Sequence, residues 1–157
     1  MGRSGRLDET YVRSKGKWAY LYRAVDTEGQ PVAFLLTPPR DKAAAEAFLR
    51  KAIRNQGLPE KITIDQSGSN TAAITHYNKT HKTAIVIRHS KYLNNVVEQD
   101  HRAVKRITHP MLGFKSFWAA WCTIAGIEVM HAIRKGQLRT TGNPLPTPAE
   151  QFYSLAA

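Results

Sequence analysis

The 157-residue chain predicts an α/β fold: a mixed five-stranded sheet, three antiparallel strands and then parallel ones, flanked by helices. Three observations predict it. Three β-type runs separated by short turns open the chain, two short apolar runs then alternate with helical segments, and two longer helices follow. The resulting order, βββαβαβαα, is that of a mixed sheet with helices packed on its faces. The length suits one domain with a proper core.

Residues 7–13 (LDETYVR) are rich in β-formers, and Ser14-Lys15-Gly16-Lys17 reads as a turn. Residues 18–25 form a second strand with Trp18, Tyr20 and Tyr22 at alternate positions, the spacing of core or cross-strand pairs. Asp26-Thr27-Glu28-Gly29 is a hairpin connection leading to a third strand over 32–36. Pro38 and Pro39 stop that pattern, and Asp41 is a good N-cap for a helix over 43–55, ended by Gly57 and Pro59. A fourth strand, 61–65, ends on Asp65. Ser67-Gly68-Ser69-Asn70 reads as a flexible loop before a helix over 71–79, and residues 84–87 give the fifth strand.

Helices over roughly 95–107 and 116–136 follow, separated by Pro110 and Gly113. Trp118 and Trp121 in the second are read as core. Residues 1–138 are therefore one α/β domain, and 139–157 a Pro-rich tail. Within that tail, Thr147-Pro148-Ala149-Glu150 has the pattern of a capping box with proline at the first helical position.

Charge is the strongest global signal. Lys and Arg number 23 against 12 Asp and Glu, a net +11 with pI near 10.0. Such a chain favours polyanions, because binding releases their condensed counterions. Cys122 stands alone within an apolar segment, which excludes a disulfide framework and a thiolate metal cluster, and it is read as a small buried hydrophobe. The N-terminus lacks the apolar core of a signal peptide. Glu128 and His131 interrupt the one long apolar run, 117–133, so it is read as a core helix rather than a membrane span. A soluble, cytoplasmic protein is expected.

Three carboxylates stand out: Asp8 in the first strand, Asp65 at the end of the fourth, and Glu98 in the first turn of a late helix. If strands one and four are neighbours, Asp8 and Asp65 lie side by side, and a helix across the sheet can bring Glu98 to them. Hard cations such as Mg²⁺ take carboxylate oxygens. Two of them ~3.5–4 Å apart can stabilise both the attacking and the leaving oxygen of a phosphodiester displacement. Each residue also has a plainer role. An Asp at a strand end is commonly a turn former, and Asn95 with Glu98 fits a capping box. His101, Arg102 and Lys105 follow Glu98 on one side of the helix, a row suited to phosphates or equally to a solvated face. No zinc spacing, P-loop, nucleophile elbow or dinucleotide fingerprint occurs.

The segments Leu7-Asp8-Glu9-Thr10-Tyr11-Val12, Gly16-Lys17-Trp18-Ala19-Tyr20-Leu21-Tyr22-Arg23-Ala24-Val25-Asp26 and Lys91-Tyr92-Leu93-Asn94-Asn95-Val96-Val97-Glu98-Gln99-Asp100-His101 resemble bacterial insertion-sequence DDE transposases. The likeness continues through Met111-Leu112-Gly113-Phe114-Lys115-Ser116, Gly126-Ile127-Glu128-Val129-Met130 and Arg134-Lys135-Gly136-Gln137. It is nearest to the small elements that move replicatively and form cointegrates. The resemblance implies an RNase H-like, integrase-like fold and a catalytic, metal-binding triad of Asp8, Asp65 and Glu98 holding two Mg²⁺ or Mn²⁺ ions. It implies strand cleavage at an element end, then attack of the freed 3′-hydroxyl on target DNA, with no covalent protein–DNA intermediate. DNA would be held by Lys91, Tyr92, Asn94, Asn95, His101, Arg102, Lys105 and Arg106, in a homodimer or larger assembly, with the protein at the nucleoid.

Family members carry an N-terminal helix-turn-helix that reads the element ends, whereas seven residues precede Asp8 here. The chain accordingly reads as the catalytic domain of a longer transposase or as a shortened product with a cut first strand. Two alternatives stay open: a non-catalytic DNA-binding remnant, and a ribonuclease H-type nuclease.

Overall fold

A computed structural model describes residues 4–38, 41–90, 92, 95–138 and 146–155. The chain divides into two compact units, residues 1–117 and 118–157.

The first unit holds the sheet. Strands β1 (Ser4–Ser14), β2 (Lys17–Asp26) and β3 (Pro31–Thr37) form an antiparallel meander. Strands β4 (Lys61–Ile64) and β5 (Val86–His89) join beside β1 in parallel, giving the order β3-β2-β1-β4-β5. This is the mixed sheet expected, and β1, eleven residues long, runs through its centre.

Helices α1 (Lys42–Gln56) and α2 (Gly68–His81) pack together beside one face. There Leu7, Tyr22, Ala24, Ile62 and Ile64 join Phe48, Leu49 and Ile74 in one buried cluster. Helix α3 (Asn95–Thr108) lies on β1 and β2. It buries Val97, Asp100, His101, Val104 and Thr108. A single 3₁₀ turn, His109–Met111, follows it. Strand alternation explains the two faces: Tyr22 and Ala24 point into the α1–α2 core, and Arg23 between them points to α3.

Local chemistry sets the boundaries. Asp41 caps α1 by accepting from the Ala44 N–H at 2.7 Å, and Gly57 ends it at φ 81°. The loop expected at 67–70 is instead the start of α2, with Ser67 at the N-cap position and Asn70 buried. Strand β5 begins at Val86, two residues later than expected. The Asn78 side chain bonds both the N–H and the C=O of Ile85 (3.0 and 2.9 Å), so Ile85 is committed before the ladder with β4 begins. Asn95 is the first residue of α3 rather than its cap.

The second unit contains the body of α4 (Phe117–Arg134) and α5 (Pro148–Ser154). Helix α4 buries Ala120, Ile124, Ile127 and Ile133, but two expectations fail on it. Trp118 and Trp121 are 69% and 40% exposed, stacked on each other at 5.3 Å rather than inserted in a core. Cys122 is likewise exposed. An almost wholly apolar helix gives no polar face from which its outer side could be read. Helix α5 starts on the expected capping box: Thr147 Oγ1 accepts from the Glu150 N–H, and Glu150 accepts from the Thr147 N–H at 2.7 Å. That backbone bond first, and the Thr147 hydroxyl second, hold the Glu150 carboxyl below its ordinary pKa. Among the described residues no helix is long and apolar enough to cross a membrane.

Candidate active site

Asp8 lies near the middle of β1, cross-strand from Arg23 of β2. On its other side β1 pairs with β4 in the register Ser4–Lys61, Gly5–Ile62 and Arg6–Thr63. Continued two residues, that register sets Asp8 level with Asp65. Adjacent strands are ~4.8 Å apart, and laterally paired residues share a face. Asp65 follows the last residue of β4, where one of its carboxylate oxygens accepts from the Ser67 N–H at 2.9 Å. This is the turn-forming role open to a strand-end aspartate, and it coexists with the position beside Asp8.

Helix α3 meets Asp8 through His101, whose Nε2 lies 3.4 Å from Asp8 Oδ2. One residue earlier, buried Asp100 pairs with buried Arg23. The two contacts make a polar strip between helix and sheet, two acids against two bases, of which only Asp8 is more than slightly open to water. Glu98, half-buried, stands one helical turn before His101, about 4.5 Å along the axis. Glu9, on the opposite face of β1, accepts from Ser67 Oγ at 3.1 Å and Asn70 Nδ2 at 2.7 Å, which ties the start of α2 to β1.

The row after Glu98 is thus divided by burial. His101 is 5% exposed and faces Asp8, Arg102 and Arg106 are exposed, and half-buried Lys105 sets its Nζ over the Tyr11 ring. Tyr92 is 85% exposed and Asn95 is exposed, whereas Lys91 and Asn94 fall outside the described residues. Arg23 and Asp100 were missed as a pair in the sequence. Their signal was a lone arginine in the apolar run Trp18–Val25, which demands a buried acid. Among the described residues no three of His, Cys, Asp and Glu come close enough together to hold a metal ion. The chemistry of Asp8, Asp65 and Glu98, all hard oxygen donors, nevertheless suits a divalent cation of the magnesium type.

The mixed five-stranded sheet with flanking helices is an RNase H-like fold, and solved integrase catalytic cores share it. The HTLV-2 integrase catalytic core domain in complex with magnesium (dimeric form) superposes with a TM-score of 0.62 at 15% identity, over 94% of this chain and 93% of that one. The catalytic core domain of BIV integrase gives 0.60 at 16%, over 98% and 95%. A family model for the DDE domain matches residues 2–137, and the chain belongs to that transposase family. Among its relatives, the transposase for insertion sequence-like element IS431mec of Staphylococcus aureus is 41% identical over 137 residues, 86% of this chain. The transposase for IS257 in transposon Tn4003, from the same species, matches equally. The chain spans about three-fifths of the length of these relatives, 59% in each case.

Proposed function

We propose that this domain carries out metal-dependent DNA strand cleavage and strand transfer in the movement of an insertion sequence, with Asp8, Asp65 and Glu98 as the catalytic carboxylates. One observation carries the reading: β1 with Asp8 runs directly beside β4, which leads into Asp65, beneath the helix that bears Glu98. In this reading the three carboxylates hold two Mg²⁺ or Mn²⁺ ions. Bound there, such ions activate the attacking oxygen and stabilise the departing one. The protein does the rest. Arg23 with Asp100 fixes α3 on the sheet, and His101 holds Asp8 in place. Exposed Arg102 and Arg106, with Lys91, Tyr92, Asn94 and Asn95 at the helix entry, position the DNA backbone. Element ends and target DNA are the substrates, the working form is a dimer or larger assembly on DNA, and its place is the nucleoid.

The test is strand joining. The chain is incubated with pre-cut element-end DNA, target DNA and Mg²⁺ or Mn²⁺, beside an RNA–DNA hybrid. Joined product that requires Asp65 is the expected result. Equal product from Asp65→Asn, or cleavage confined to the hybrid, would sink the proposal.

A further inference from the structure

The far end of α3 builds a second feature that the carboxylates do not use. A cavity of about 400 Å³ lies between that end, residues 108–114 and the tip of the β1–β2 hairpin. Small-molecule sites span ~300–1,000 Å³. Buried Val12 and Phe114 give it an apolar floor. Its walls carry Tyr11 and Trp18, whose rings meet edge to face at 4.8 Å and stay 53% and 56% exposed. The Arg13 guanidinium lies 5.9 Å from the Trp18 ring centre, and Lys105 Nζ lies 4.9 Å from that of Tyr11. None of the lining residues is acidic.

The wall is firmly built. Lys15 N–H donates to the Phe114 carbonyl at 2.6 Å, and Phe114 N–H to the Arg13 carbonyl at 2.8 Å. Each ring is more than half exposed with a cation over one face, which suits an occupant that is flat, stacks on the remaining ring face and is anionic at its rim. An unpaired base with its phosphates has that chemistry: its ring stacks on aromatics, and cations hold its backbone. We propose that this cavity receives one unstacked nucleobase of the bound DNA strand, with Arg13 and Lys105 on the adjoining phosphates. The inference rests on DNA being the ligand, as proposed above, but not on catalysis by the carboxylates.

Binding of a 2-aminopurine-labelled single strand and of its matched duplex tests it, using the whole chain without metal. The single strand should bind roughly tenfold tighter, about the loss of one base–ring stack, with its fluorescence quenched. Trp18→Leu should erase both effects and Trp18→Phe should keep them. Should Trp18→Leu lose its native circular dichroism, Tyr11→Ser gives the same readout. Equal affinity for strand and duplex, or a preference that survives loss of either ring, overturns the proposal. So does displacement of the strand by an equal charge of polyglutamate, which would mark a plain anion patch. Strand-joining assays on the same samples keep the two readings apart: no joining with the preference intact leaves this one standing.

Discussion

Arg23 and Asp100 set the terms on which α3 sits on the sheet. Both are nearly solvent-free, so each charge depends on the other for what water no longer supplies. Arg23→Met removes the buried cation from the Asp100 carboxylate and should cost about 3–5 kcal/mol in urea unfolding, whereas the joint change Arg23→Met with Asp100→Leu should cost far less. Equal losses in the two proteins would show that the pair matters through packing alone. Asp8 makes a different prediction. Asp8→Asn keeps the shape of the side chain, so unfolding should move little, while strand joining should fall by more than the ~10–100-fold typical of outer-shell partners of a metal site. The acidic residues and their places on strand and helix were legible in the sequence. The partners of Asp8 were not, because the facing of α3 on β1 decides that His101 is buried and Arg102 is not.

Among the elements, the β2–β3 turn is held to α3 by one glycine. Gly29 has φ 78°, and a Cβ placed on it would come within 2.8 Å of Val96 Cγ1. Gly29→Ala should therefore cost about 2 kcal/mol or more, from left-handed backbone strain and the clash together. Adding Val96→Ala should recover the steric part only, which a double-mutant cycle in thermal unfolding would resolve. At the other end of the chain, Glu150 has a lowered carboxyl pKa, so its cap contribution is present above the ordinary carboxylate value. It should fade as pH falls through the lowered value, and amide NMR shifts of α5 would follow that fall. A midpoint at the ordinary carboxylate value would contradict the cap. Element types were readable wherever caps and periodicity agree, as at Asp41 and Thr147. The start of β5 was not readable, since it depends on Asn78 reaching seven residues ahead to Ile85.

For the whole molecule, the surplus of positive charge makes salt the simplest probe. If the domain neutralises about six phosphates, its affinity for duplex DNA should fall ~1,000-fold between 50 and 200 mM salt. A flat salt profile would remove the electrostatic basis for a polyanion partner. Composition raised that partner class as an expectation from the outset, because charge is a sum and needs no fold. The meander and the parallel strands were also legible, since short turns dictate the one and helical crossovers the other, whereas the place of β4 beside β1 entered only as a condition. The cavity beside Trp18 was not. Its walls come from residues 11–18 and 105–114, which no periodicity links, and alternating aromatics in β2 read as ordinary packing.

The bonds from the hairpin tip to Phe114 also have a meaning in time. Lys15 and Phe114 are about a hundred residues apart, and at ~10 residues per second the ribosome makes the second about ten seconds after the first. Until then the hairpin tip has no far wall, and Trp18 faces water on a growing chain. The cavity beside the ring pair is therefore closed only after every strand of the sheet has been synthesised.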